Sequence, residues 1–181
     1  MSPTNRIAAK WGLFIGLTNL VWLYLAYFLG LHTSGIMVFQ IFMLVWLALT
    51  VTGFILALRA VKRQKPSLSF LGGIGAGAAT AVVSAIVAVV AQVGYFTVVH
   101  PAWPEVMAQQ TKAHFTAQGM SPAQVERMVV QARGSFTLSN YAVSSAATAL
   151  IVGIVLSAII MLFLRRRSAA ATPEATRAAQ R

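Results

Sequence analysis

Four long apolar stretches, separated by polar or basic segments, dominate the pattern of the chain. They cover residues 11–29, 36–58, 68–99 and 141–164. Each is long enough to cross a bilayer as an α-helix of about 20 residues, and the third is long enough to tilt or to project beyond the surface. The first exceeds the roughly 7–15 apolar residues of a signal peptide, so we interpret it as a retained span. The pattern predicts an all-α membrane protein with an up-down-up-down bundle of four transmembrane helices, forming one domain over residues 1–167.

The segment between the third and fourth stretches, residues 101–139, has the pattern of two short helices. Pro104 and Glu105 suit the first turn of one helix, and Gly119 would end it. Ser121 followed by Gln124 is typical of a capping box that begins the second. The positions expected to be buried are Met107, Thr111 and Phe115 in the first helix, and Val125, Met128, Val129 and Ala132 in the second. We therefore predict a small helical extracytoplasmic cap, with a loop lying on the lipid headgroups as the alternative.

The basic residues predict the orientation of the chain. The sequence has 14 basic and 3 acidic residues, for a net charge of +11. Eleven of the 14 lie before the first span, between the second and third spans, or after the fourth. The positive-inside rule then places both termini in the cytoplasm. The charge records topology rather than nucleic-acid binding, and the basic loop 59–65 is expected to contact membrane lipids. Residues 168–181, rich in Ala and Thr, are predicted to form a disordered cytoplasmic tail.

The two pairs of spans differ in the size of their side chains. The first two spans hold ten of the 18 aromatic residues, whereas small residues recur at every fourth position of the third and fourth spans. Such rows let two helix backbones approach closely within a membrane. We predict that the third and fourth helices pack on each other, with a homodimer contact as the alternative use of a row. The two rows are Gly73, Gly77, Ala81 and Ala85, and Ser145, Ala149, Gly153 and Ser157.

Few side chains in this sequence are of the types that catalyse reactions, bind metals or couple transport to protons. Cysteine is absent, which excludes disulfides and thiolate metal sites, and the polar residues inside the spans are uncharged. Proton-coupled carriers usually need an ionisable side chain in the membrane, so that class is disfavoured. His32, His100 and His114 lie on the predicted outer side, but their spacing matches no metal signature. We expect no cofactor, no metal and no enzyme activity. The polar candidates are Asn19, Gln40, Gln92, His100, Glu105 and His114, and hydrogen bonding between helices is the plainest role for those within the spans.

Four short segments resemble a known family. They are residues 10–16 (KWGLFIG), 68–70 (LSF), 95–101 (YFTVVHP) and 119–126 (GMSPAQVE). Together they are similar to the bacterial membrane proteins grouped as domain of unknown function 4199, over about residues 6–167. The outer segment has fewer acidic and lysine residues than that family implies. The resemblance implies a four-span protein of the bacterial inner membrane, and it supplies no activity and no catalytic residues.

Two functions follow as hypotheses. The first is a structural, interaction or accessory role, exercised with a membrane-protein partner or a second copy of the chain. The alternative is an oligomeric transport or pore subunit, which would need at least a dimer because four spans leave little room for a path.

Overall fold

The fold consists of six α-helices and one π-helical turn, seen in a computed structural model that describes residues 2–31 and 36–178. At positions 36, 37 and 39, and beyond residue 164, only the backbone is described. Within these residues there is no β-strand, so the predicted all-α class is confirmed. The elements are α1 (Pro3–Phe28), α2 (Ile36–Gln64), α3 (Phe70–Gly94), the π-helical turn (Tyr95–Val99), α4 (Trp103–Ala117), α5 (Pro122–Ser135) and α6 (Leu138–Ala178).

Four helical segments are long and apolar enough to cross a membrane. They are Pro3–Phe28, Gln40–Gln64, Phe70–Val99 and Leu138–Leu164. Large apolar side chains remain exposed on them, including Phe14 at 58%, Leu44 at 65% and Ile151 at 63%. So much apolar surface suits contact with lipid rather than water. The chain is therefore a multi-pass integral membrane protein built as a four-helix bundle.

The first span begins earlier than the hydrophobic pattern predicts. α1 starts at Pro3 rather than near residue 11. The Ser2 hydroxyl accepts a hydrogen bond from the Asn5 backbone N–H at 3.2 Å, and Pro3 occupies a position where its missing N–H costs nothing. α2 likewise continues to Gln64, because Lys62 and Arg63 in its last turn favour the negative end of the helix dipole.

Small residues bring α3 and α6 together in the half of the bundle that holds the termini. α3 packs most extensively on α6. A side chain added at Gly77 would collide with the Cβ and Oγ of Ser157, and one added at Gly153 would lie 2.6 Å from the Ala81 Cβ. Gly73 faces Met161 in the same way. The two helices therefore pack within one chain through members of both predicted rows.

A second close contact, between α1 and α3, was not predicted. A Cβ added at Gly12 would lie 2.5 Å from the Thr80 carbonyl oxygen, and one added at Gly16 would lie 2.6 Å from the Val87 Cβ. The spacing of four between these glycines is the signal that the sequence offered, since it places both on one helix face. α1 thus packs directly on α3.

The cap consists of α4 and α5, which form the predicted pair of short helices. Gly119 adopts a φ of +75° at the turn between them, a conformation that favours glycine. The Gln124 side-chain oxygen accepts hydrogen bonds from the Ser121 backbone N–H at 3.1 Å and from its hydroxyl at 2.9 Å. The structure corrects one predicted buried position, because Met128 is 37% exposed. The other six predicted positions face the packed side: Met107, Thr111, Val125, Val129 and Ala132 are buried, and Phe115 packs against the cluster that contains Val125 and Val129.

The disorder predicted for the tail stays a prediction, and the structure describes the tail's backbone over residues 168–178. There the backbone continues α6 as far as Ala178. Alanine and arginine are strong helix formers, which lets a helix begun inside the membrane continue past its basic end. Residues 179–181 lie outside the described residues.

Candidate functional site

The four spanning helices diverge in the half of the bundle nearest the cap and leave a cavity of about 220 Å³. All four contribute to its wall. Its floor lies near Phe54 of α2 and Ala149 of α6, just above the tight contact at Gly153. The lining mixes apolar side chains with amides and hydroxyls. The polar members are Asn19, Thr50, Ser84, Gln92, Tyr141, Ser144, Ser145 and Thr148.

A chain of hydrogen bonds fixes the amide of Asn19 on the α1–α2 side of this cavity. The Thr50 hydroxyl donates to the Trp46 carbonyl oxygen at 2.9 Å. Its single hydrogen is thereby used, so the Thr50 oxygen can only accept from Asn19, whose Nδ2 donates to it at 3.1 Å. The orientation of the amide is therefore determined. The Oδ1 of Asn19 is buried and accepts no hydrogen bond from the part of the chain that the structure describes.

Gln92 makes the corresponding contact between α3 and α6. Its Nε2 donates to the Ser145 hydroxyl at 2.8 Å, while its buried Oε1 accepts no hydrogen bond from any described residue. Both amides thus make the interhelical bonds that the sequence predicts as their plainest role. Each also leaves one carbonyl oxygen unsatisfied beside the same cavity, and a buried acceptor without a donor carries a cost of about 1–3 kcal/mol.

The mouth of the cavity lies between α2 and α6. Met43 of α2 lines the cavity and is 42% exposed. Ser144 and Thr148 of α6 line it and are exposed as well. The α2–α6 contact is also much smaller than the α3–α6 and α1–α3 contacts. The cavity therefore opens sideways, through the surface of the bundle that faces the lipid.

An aromatic cluster separates the cavity from the cap. Tyr95 lies in the π-helical turn at the end of α3, and its ring makes edge-on contacts with Trp103 of α4 at 6.0 Å and with Tyr27 of α1 at 5.9 Å. The Tyr95 hydroxyl lies 3.2 Å from Nδ1 of His100. Burial among these rings lowers the pKa of His100 below its ordinary value, because the charged imidazolium loses solvation.

The remaining predicted site residues are dispersed. Glu105 and Arg133 form an ion pair between α4 and the end of α5, with an N–O distance of 3.1 Å and about half of each side chain exposed. The His114 ring contacts the side chain of Gln118, the residue that caps the end of α4, at 3.0 Å, and Gln40 is exposed near the start of α2. His32 lies outside the described residues. Among the residues that are described, no three His, Asp or Glu side chains are grouped closely enough to hold a metal ion.

Two members of the predicted α6 row belong to the cavity rather than to a tight contact. Ser145 and Ala149 line it, since the helices have separated at their level, whereas Ala85 is buried in α3. Sequence reasoning missed the cavity itself. The available signal was the set of polar positions within the spans, of which seven line the cavity: Asn19, Thr50, Ser84, Gln92, Ser144, Ser145 and Thr148.

Comparison with known proteins yields a family match over most of the chain. A family model described as "Protein of unknown function (DUF4199)" matches residues 10–166. No curated protein and no solved structure matches the chain. The matched region includes most of the first span, the other three spans, the cap and the cavity, so these features lie within the family domain.

Proposed function

The chain belongs to the DUF4199 family, whose function is unknown, and from that premise we propose that it is a non-catalytic accessory protein of the bacterial inner membrane. In this proposal both termini are cytoplasmic, and the cap contacts a membrane-protein partner on the outer side. The observation that carries it is the fixed attachment of the cap to the bundle. A helical hairpin held in one orientation presents a constant surface, which favours recognition of a partner over random contact with headgroups.

Trp103 provides that attachment. Its side chain is 2% exposed, and its ring makes edge-on contacts at 6.0 Å with Tyr95 of the bundle and at 6.0 Å with Phe136 at the end of α5. On the other side of the hairpin, α5 leaves Val130 at 59% and Met128 at 37% exposed. Apolar side chains on an otherwise polar helix are the feature of this surface that suits a partner.

The absence of catalysis in this proposal rests on the available side chains. An enzyme needs positioned acids, bases or nucleophiles. The three acidic residues, Glu105, Glu126 and Glu174, lie outside the spans, and Glu105 is engaged with Arg133. The cavity wall offers amides and hydroxyls, whose polar groups suit binding rather than proton transfer at neutral pH.

Cysteine labelling tests the orientation, and the natural chain contains no cysteine that would interfere. Ser67→Cys reports on the loop between α2 and α3, and Gln118→Cys reports on the cap, since both positions are exposed. In intact spheroplasts, a membrane-impermeant maleimide should label the variant at 118 and should label the variant at 67 only after permeabilisation. Labelling at 67 without permeabilisation would refute the orientation.

Photocrosslinking in cells tests the partner. A benzoylphenylalanine at position 130 should give a discrete crosslinked band containing a second protein. The matched control carries the same group at position 44, which is 65% exposed on the spanning part of α2. Equal protein crosslinking from the two positions, or none from position 130, would contradict a specific contact at the cap.

A transport or pore subunit is the second candidate, and the cavity is the observation that favours it. The contact of Gly77 with Ser157 closes the bundle below the cavity, so a path across the membrane would require a second copy of the chain. Native mass spectrometry measures the oligomeric state, and solute flux in proteoliposomes measures transport. A strict monomer without flux would remove this candidate.

A further inference from the structure

We propose that the cavity within the cap half of the bundle binds an uncharged amphiphile with an apolar body and one polar end that donates a hydrogen bond, such as a hydroxyl. The proposal rests on two buried carbonyl oxygens, Asn19 Oδ1 and Gln92 Oε1, that have no hydrogen-bond partner among the described residues and belong to side chains lining a largely apolar space. This role is independent of the cap and goes beyond the accessory function proposed above.

The free oxygens determine the polarity of the ligand. Asn19 cannot turn its amide around, because the Thr50 hydroxyl already donates to Trp46 and can only accept. The group that Asn19 leaves without a partner beside the cavity is therefore an acceptor. A ligand group that donates would satisfy an oxygen left without a partner, whereas an ether or an alkane of the same size would not.

The remaining lining determines that the ligand is uncharged and mainly apolar. Among the described residues of the wall, the phenol of Tyr141 is the one ionisable side chain, so these residues offer no opposite charge to compensate an ammonium or a carboxylate. Leu20, Leu23 and Ala88 supply apolar contacts. A cavity of about 150 Å³ holds benzene, so a volume of about 220 Å³ accommodates a somewhat larger body.

The position of the mouth determines the route of entry. Met43 on α2 and Ser144 and Thr148 on α6 line the cavity and are exposed, and all three belong to membrane-spanning segments. A ligand dissolved in the bilayer can enter sideways between these helices without crossing the aromatic cluster below the cap. A membrane-soluble alcohol meets this requirement, and a strongly hydrated solute does not.

The test uses a diazirine-bearing octanol as photoaffinity probe on the purified full chain in nanodiscs, with the adducts located by mass spectrometry. We expect adducts on cavity residues. Two competitors of similar size separate donation from apolar burial, since cyclohexanol donates a hydrogen bond and methoxycyclohexane does not. The alcohol should suppress labelling at a free concentration about three- to tenfold lower than the ether, which is the effect of one hydrogen bond.

Three variants complete the design. Asn19→Leu combined with Gln92→Leu removes both acceptors and should abolish the preference for the alcohol. Ala149→Leu fills the space and should reduce labelling by the octanol probe at least tenfold. Leu44→Ala, on the lipid-facing side of α2, is the matched control and should leave labelling unchanged. Size-exclusion profiles and circular dichroism establish that each variant is folded.

Two results would overturn the proposal. One is labelling spread over the lipid-facing surface and unaffected by Ala149→Leu, which would show that the cavity takes up no amphiphile. The other is equal competition by the alcohol and the ether in the natural chain, which would show that the free oxygens are satisfied by water. If the double variant fails to fold, the two competitors and Ala149→Leu still show whether the cavity binds an amphiphile and whether it prefers a hydrogen-bond donor. None of these readouts involves the cap, so the partner contact stands or fails separately.

Discussion

Alanine at Gly77 should separate α3 from α6 and destabilise the protein, whereas alanine at Gly75 should not. A Cβ at Gly77 would collide with both the Cβ and the Oγ of Ser157, so rotation of the serine side chain cannot relieve the overlap. Restoring carbon–carbon separations of about 3.5–4.0 Å requires the two backbones to move apart by about 1 Å. At Gly75 a Cβ would meet nothing within 4 Å, since this face of α3 is turned away from the bundle.

The comparison of the two variants isolates the packing contribution. Both gain the helix propensity of alanine over glycine, so that gain cancels between them. What remains is the overpacking cost at Gly77, about 1–3 kcal/mol in the free energy of unfolding. Reversible unfolding in mixed micelles titrated with dodecyl sulfate, followed by circular dichroism, measures this difference.

A second substitution tests whether overlap with Ser157 is the cause of the lost stability. Ser157→Gly removes both atoms that the new methyl group would strike, so the combination Gly77→Ala with Ser157→Gly should recover most of the lost stability. Recovery would appear as a coupling energy in a double-mutant cycle. If Gly77→Ala proves as stable as Gly75→Ala, the close α3–α6 contact is absent in the membrane-embedded protein and the reasoning is refuted.

Three further predictions concern the cap. Trp103→Ala should cost about 3–5 kcal/mol, because a fully buried indole is removed, and it should speed amide exchange in α4 far more than Trp103→Phe does. Glu105→Gln should cost less than about 1 kcal/mol in the same exchange experiment, since the ion pair with Arg133 is half exposed, and a larger loss would mean a stronger pair than the geometry supports. Burial lowers the pKa of His100 below its usual 6.5, so the unfolded chain binds the proton more readily than the folded cap. Cap stability should therefore be complete above pH 6.5 and fall as the pH drops below it, and a thermal melt of His100→Phe that keeps the same pH dependence would assign the effect to another group.

The sequence by itself determined the number of spans, the presence of a helical cap and the family. Long apolar runs, basic clusters and turn residues act over a few neighbouring positions, so they can be read without knowing what packs where. The capping box at Ser121 and the turn at Gly119 are of this kind, and both are present in the structure. The amide candidates Asn19 and Gln92 were also visible, because a polar side chain inside an apolar run stands out.

Only the tertiary structure decided which helix faces pack against each other and at which level the helices separate. Gly12 and Gly16 pack on α3 rather than on lipid, and the small-residue rows of α3 and α6 meet at Gly77 but diverge at Ser145. The same spacing of small residues is compatible with contact or with a gap, because the outcome depends on the crossing of helices far apart in sequence. The cavity and its two free oxygens arise from that divergence, so a list of polar residues could indicate their chemistry but not that they share one site.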